Sequence, residues 1–329
     1  MARGARTRRA AAAAALLAAA VTASLVAGCT DDGDDGGRPS ASPVQPSPRQ
    51  PSPRQPGGGP PLLAVKIDNA PAARPQTGVD AADVVYAEQV EGGLSRLMAV
   101  YATRLPEAVG PVRSARESDL ELLRQFGRPV LAFSGAQSRL LPVIDAAPVD
   151  ARTPREASGA YFRGTGRPAP HNLYVRPGAL LPAPPGAGAL TTGFRYGAAP
   201  DGGTAVASRT VRYPAARFTF TWSGARDRWL VALDGTPAVT TGGARVAAAT
   251  VVVQYVTVRA SAYRDFRGSN SPYTETVGSG RATVLRDGRA HEVRWERTRA
   301  AEGTAFTTGD GTPVNFARGP VWVVYVQAP

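Results

Sequence analysis

Six short apolar runs in the last third of the sequence constrain its fold more than any other feature. Each run is five to ten residues long, which is the length of a β-strand. Asp287-Gly288 separates two of them and is a strong hairpin signal. The runs are RFTFTW, RWLVALDG, ATVVVQYVTV, GRATVLRDG, RAHEVRWER and VWVVYVQ. This part is therefore predicted to be mostly antiparallel β, with its tryptophans at 222, 229, 295 and 322 in the core or on sheet faces.

The preceding part mixes strand and helix signals. LLAVKIDNA at 62–70 is typical of a buried strand, and Gly92-Gly93 joins two further strand-like runs. A helical segment follows, then the strand-like PVLAFSG and the ambiguous RLLPVID. A Pro/Gly-rich break at 176–190 suggests a domain boundary. The prediction is an α+β fold, with an α+β N-terminal domain at 61–180 and a β-rich C-terminal domain at 181–329.

The N-terminus indicates export. Four arginines precede a long apolar run that ends in VAGC, where small residues lead to the single cysteine, Cys29. This pattern predicts a lipoprotein signal peptide at 1–28, lipidation of Cys29 and a Pro/Gly-rich disordered tether at 29–60. The predicted location is the outer face of the bacterial cytoplasmic membrane, in the cell envelope. An uncleaved membrane anchor is the competing interpretation of the apolar run, and Arg8-Arg9 leaves open export by the twin-arginine route or the general one.

Composition limits the chemistry. Once Cys29 is acylated no thiol remains, and with only two histidines a zinc site is disfavoured, so no metal and no cofactor are predicted. The net charge of +12 comes almost entirely from scattered arginines, which favours coding bias over nucleic-acid binding. Such a surface would attract anionic lipid or wall polymers without recognising them. Lys66 lacks the preceding serine of an S-x-x-K site, and no G-x-S-x-G elbow, P-loop or dinucleotide fingerprint occurs.

The stretch GPVRSARESDL at 110–120 carries the clearest hint of a site. Ser114 and Glu117 match a capping box, so Ser114 is predicted as the helix N-cap. Arg113 and Arg116 would then lie where the helix dipole disfavours cations. Three accounts stay open: internal acidic partners, a site where both guanidinium groups bind an anion, or an exposed pair without a role.

Three acidic residues and one histidine could join these arginines. Asp68, Glu88 and Glu91 are candidate internal partners, and Glu88 or Glu91 could also act as a general acid or base. His171 lies beside Asn172 in the irregular stretch RPAPHNLYV, as a structural donor or as an assisting group in catalysis. A nucleophilic Ser114 beside His171 is disfavoured, because a capping serine has its oxygen engaged.

Three ordered motifs carry a family resemblance. VKIDNAPAARPQTGVDAADVVYAEQVEGGLSRLMAVY, GPVRSARESD and APHNLYV, behind the lipobox and tether, resemble the YerB-like bacterial lipoproteins, a family with a two-part domain of unknown function. GSGRATVLRDGRAHEVRWER is similar to the C-terminal part of that domain. The resemblance implies lipid attachment and an α+β domain followed by a β-rich one, and it carries no established activity. It places motif positions at Asp68, Asn69, Arg74, Pro75, Gly78, Glu91, Gly92, Arg96, Pro111, Arg113, Ser114, Arg116, His171 and Asn172.

Together these features predict a cleft built from residues 88–96, 111–117 and 170–174. The favoured function is non-enzymatic binding of an anionic or polyhydroxylated cell-wall ligand, or of a wall-synthesis protein in the envelope. The rival function is an envelope hydrolase or transferase that uses Glu88 or Glu91 with His171. An enzyme would need a carboxylate and His171 within hydrogen-bond reach in one solvent-open pocket. A ligand surface confined to the β-rich domain is a third alternative.

Overall fold

The computed structural model describes residues 60–265 and 268–329. The predicted signal peptide, Cys29 and the tether up to residue 59 lie outside the described residues. Among the described residues, no helix combines the length and apolar character needed to cross a bilayer.

Strands dominate the described residues, as the apolar runs predict. In chain order they are β1 (Leu63–Asp68), β2 (Val84–Gln89), β3 (Ser95–Tyr101), β4 (Val130–Ala132), β5 (Asp150–Arg152), β6 (Tyr161–Arg163), β7 (Leu173–Val175), β8 (Arg195–Tyr196), β9 (Thr204–Ala205), β10 (Ser208–Tyr213), β11 (Ala216–Ser223), β12 (Arg228–Leu233), β13 (Thr236–Pro237), β14 (Ala247–Ala248), β15 (Thr250–Val256), β16 (Val258–Arg264), β17 (Asn270–Thr274), β18 (Gly278–Arg286), β19 (Arg289–Arg297), β20 (Ala305–Thr307), β21 (Asn315–Phe316) and β22 (Val321–Gln327).

Helices are short. The α-helices are α1 (Glu117–Leu123) and α2 (Leu141–Ala146), which resolves the ambiguous RLLPVID segment as helix. Single 3-10 turns cover Pro71–Ala73, Val79–Ala81, Glu91–Gly93, Arg124–Phe126, Ser158–Ala160, Pro177–Ala179 and Ala187–Ala189. The described fold is therefore mostly β.

One mixed sheet organises the molecule. Its strand order is β20-β19-β18-β15-β22-β2-β3-β1-β4-β5, with β9 paired to β19. The late strand β22 lies between β15 and β2 and is parallel to both, so that Val323 has Val252 on one side and Tyr86 on the other. The early and late parts of the sequence thus share one sheet, and the described residues cluster as one compact unit.

Both faces of this sheet are covered. A five-stranded sheet, in the order β10-β11-β12-β13 with β14 beside β12, packs Phe218 and Phe220 edge-on against Trp322. On the opposite face, α1 contributes Leu122 to a second core with Trp295. Trp229, Trp295 and Trp322 are buried, and the partly buried Trp222 packs against the core that contains Phe218 and Trp322. This confirms the prediction that the tryptophans lie in the core or on sheet faces.

The predicted Asp287-Gly288 hairpin is present. Arg286 pairs with Arg289 across the turn, and both central residues have positive φ, 49° and 73°. This geometry is the one that an Asp-Gly turn favours.

Candidate functional site

The segment 110–116 runs alongside the end of β1 as extended chain. Its backbone binds on both sides: Asp68 N–H donates to the Pro111 carbonyl at 2.8 Å, and Val112 N–H donates to Leu173 at 2.6 Å. Arg113 N–H donates to the Lys66 carbonyl at 2.8 Å. These bonds place the arginine motif next to the turn that carries the histidine.

Because these bonds hold the backbone extended, α1 begins later than predicted. Its N-cap is Arg116, and the Asp119 carboxylate accepts the Arg116 N–H at 2.7 Å. The prediction of Ser114 as N-cap is therefore wrong. The Ser114 hydroxyl instead lies 3.5 Å from that of Ser134.

A cavity of about 920 Å³ opens beside this segment. The sequence-predicted residues that line it are Asp68, Glu91, Arg96, Arg113, Ser114, Arg116 and His171. Segments far apart in the chain therefore line the same cavity. Two predicted residues, Glu88 and Asn172, do not line it.

Arg116 is bound to Glu91. Its Nε and one terminal nitrogen each donate to a Glu91 oxygen at 2.6 Å, and Ser271 donates to the same carboxylate. Burial alone would raise the pKa of Glu91, but these bonds and the Arg116 charge lower it to about 2. Glu91 is thus an anion held in place at one wall of the cavity. Its pairing with Arg116 is what we expect if acidic residues of the same protein compensate the arginines.

Asp68 connects Arg113 to His171. One Asp68 oxygen lies 2.8 Å from His171 Nδ1 and 3.2 Å from Arg113 Nε, while the other accepts the Ala70 N–H at 3.1 Å. Because a carboxylate only accepts hydrogen bonds, the proton in the histidine contact belongs to Nδ1. In the neutral imidazole Nε2 then carries the lone pair, and no hydrogen bond to it comes from any described residue. The Asp68 side chain is 5% exposed and that of His171 is 20% exposed.

Arg96 differs from the other two arginines of the motif. Among the described residues its guanidinium makes one hydrogen bond, to the Ser114 carbonyl at 3.1 Å, and no ion pair. Burial, together with the charges of Arg116 and Arg113, lowers the pKa of Arg96 to about 10. The lining as a whole holds four arginines and four acidic residues, so its formal charges balance.

Glu88 belongs to a buried cluster instead. Lys66, which is fully buried, contacts both Glu88 and Asp119, the latter at 2.6 Å. Burial would raise the pKa of both carboxyls. The Lys66 charge outweighs burial at Glu88 and lowers its pKa, while the pKa of Asp119 stays raised. The cluster supports the start of α1 and lies away from the cavity lining.

Asn172 positions the histidine turn. Its side chain accepts from Arg163 at 2.7 Å and donates to the Gly164 carbonyl at 3.0 Å. These bonds tie the two ends of the 164–172 loop together. Asn172 therefore acts on the site through the backbone of its neighbour.

The β16–β17 hairpin forms a wall that the sequence did not reveal. Ser261 and Tyr263 of β16 and Ser271 of β17 line the cavity. Ser261 donates to Glu117 at 2.5 Å, and Tyr273 donates to Glu121 at 3.0 Å, which fixes the hairpin on α1. These partners are about 150 residues apart in sequence, with no motif linking them.

No group of three or more metal-ligating side chains occurs in the described ranges. The chemistry available at the cavity is that of guanidinium groups, hydroxyls and one carboxylate-bound imidazole. This set can bind an anion and can accept a proton.

A mostly β protein with this arginine-lined cavity matches a known two-part family. Residues 51–189 match the model described as "Protein of unknown function (DUF3048) N-terminal domain", and residues 209–323 match the corresponding C-terminal domain. The chain belongs to this YerB-like family.

The chain is similar in sequence and in structure to a protein from Bacillus subtilis. The chain is 33% identical over 114 residues to the strain 168 protein named "Putative lipoprotein YerB", and the match spans 34% of either chain. It therefore covers about a third of that relative's length. The crystal structure of YerB from Bacillus subtilis superposes with a TM-score of 0.66 at 20% identity, over 81% of this chain and 90% of that one, which shows the shared fold.

Proposed function

We propose that this protein is a lipid-anchored envelope protein whose cavity binds an anionic, polyhydroxylated cell-wall ligand. The VAGC sequence before Cys29 and the name of the Bacillus relative support attachment by acylation on the outer face of the cytoplasmic membrane. In this proposal residues 61–180 form an α+β part and residues 181–329 a β-rich part.

Arg96 is the observation that carries the binding proposal. Its half-buried guanidinium has donors that no described residue fills beside an open cavity, and an anion there would make charge-assisted hydrogen bonds to them. Arg113 adds donors, since its Nε lies 3.2 Å from Asp68 and no hydrogen bond joins its terminal nitrogens to a described residue. Phosphate or carboxylate groups fit this pair, and the Ser138, Gln137 and Ser269 side chains of the lining can accept or donate to hydroxyls of a polyol.

Binding of poly(glycerol phosphate) fragments to the full-length protein, measured by titration calorimetry, tests this proposal. Arg96→Met should weaken binding about tenfold or more, because a charge-assisted hydrogen bond contributes about 1.5–3 kcal/mol. The matched control is Arg294→Met, an exposed arginine on β19 outside the cavity.

Equal affinity of both variants and wild type would remove Arg96 from the proposal. Absence of polymer binding, combined with Arg96-dependent capture of a wall-synthesis protein, would favour the protein partner instead. The rival with a catalytic glutamate has less support, because Glu91 is bound by Arg116 and Glu88 lies in the Lys66 cluster.

A further inference from the structure

We propose that His171, oriented by Asp68, is a general base that activates water to hydrolyse a phosphodiester held in the cavity. The inference rests on the proposed anion binding and adds a reaction to it. It differs from the glutamate-based rival because the carboxylate in contact with His171 is Asp68.

The imidazole is held as a base requires. The Asp68 carboxylate receives Nδ1–H at 2.8 Å, which fixes the ring and leaves the Nε2 lone pair for a proton. Asp68 is itself held by the Ala70 N–H and by Arg113. The histidine lines the cavity with part of its side chain exposed, so water can reach it.

The backbone around the pair is also fixed. Asp68 is the last residue of β1, and His171 lies just before β7. The extended segment 110–116 lies between these two strands and is bonded to β7 by the Val112 N–H, which donates to the Leu173 carbonyl. Asn172 closes the loop behind the histidine. Catalytic geometry is favoured when such supporting bonds hold both partners.

The guanidinium groups favour a phosphodiester as the substrate. Arg96 and the terminal nitrogens of Arg113 have donors that no described residue fills, and both arginines line the cavity with His171. A phosphodiester brings one negative charge, and more charge builds on its non-bridging oxygens during attack. A neutral carboxylic ester would gain less electrostatic stabilisation from these two cations.

The reaction is balanced as a hydrolysis. His171 Nε2 takes a proton from water as the water oxygen forms a bond to phosphorus. The bond from phosphorus to one polyol oxygen breaks, and that alkoxide takes a proton from solvent. His171 returns its proton to solvent, so the products are a phosphomonoester and a free hydroxyl.

The test follows poly(glycerol phosphate) by phosphorus NMR with the full-length protein, counting new phosphomonoester ends. His171→Asn keeps a donor for Asp68 but lacks the Nε2 base, so turnover should fall about a hundredfold or more while polymer affinity stays within about twofold. Arg96→Met should lose both binding and turnover, and Arg294→Met should keep both. Added imidazole should restore part of the turnover of His171→Ala, which a purely structural histidine would not allow.

Wild-type binding without new phosphomonoester ends overturns the catalytic inference and leaves the binding proposal standing. Turnover that survives in His171→Asn overturns the role of His171. Failure of the wild-type protein to bind the polymer overturns both proposals together. Thermal melts of each variant separate these outcomes from loss of folding.

Discussion

Glu91 shows how one residue can determine the shape of a site without reacting in it. It follows β2 on the Gly92-Gly93 turn and accepts from Arg116, the N-cap of α1, and from Ser271 on the hairpin. Three elements therefore meet at one carboxylate. The sequence marked Glu91 as one of three acidic residues that could pair with Arg113 and Arg116. A single sequence could not show which acid would pair with which arginine.

The Glu91 pair makes stability depend on pH. The pKa of Glu91 lies near 2 in the folded protein and near 4.5 in its ordinary state, so its stabilisation is complete above pH 4.5 and disappears as pH falls toward 2. Glu91→Gln should lower the free energy of unfolding by about 2 kcal/mol at pH 7. Urea unfolding across this pH range should show the difference from wild type shrinking below pH 4.5. The exposed Glu107→Gln is the control, and a gap that stays constant with pH would contradict the assignment.

At the scale of elements, strands were predictable and contacts between distant segments were not. The alternating or continuous apolar runs identified β1, β15 and β22, because burial in a sheet needs that pattern. The start of α1 was missed, since its local capping signal competed with tertiary hydrogen bonds to the 112–115 backbone. The wall formed by the β16–β17 hairpin was missed because no sequence motif around its serines indicates a binding site.

The shifted helix start gives a simple test on Ser114. A capping serine would cost about 1 kcal/mol when replaced by alanine. Since Arg116 is the N-cap, Ser114→Ala should change the free energy of unfolding by less than about 0.5 kcal/mol. Urea denaturation measures it, and a loss near the capping value would restore Ser114 as the cap.

At the scale of the molecule, β22 joins the two matched family segments. It pairs with β2 from the first segment and with β15 from the second. Trp322 and Val323 face opposite cores, so the strand also contributes to both hydrophobic layers. The cavity likewise takes walls from both segments. The 61–180 and 181–329 division predicted from the Pro/Gly break therefore needs an experiment of its own.

Deleting residues 321–329 supplies that experiment. Loss of β22 removes the partner between β2 and β15 and uncovers both cores, so the truncated chain should lose near-ultraviolet circular dichroism and become sensitive to protease throughout. Replacing the exposed Gln327 with Ala in the intact chain is the control. Recovery of a protease-resistant fragment covering 61–180 would instead show an independent domain.

The position of β22 also has a consequence for biogenesis. Ribosomes make the chain from its N-terminus, so β22, at the middle of the sheet, is synthesised after every other strand of the described residues. Until it arrives, the two flanking groups of strands have an open gap between them, and the sheet cannot close.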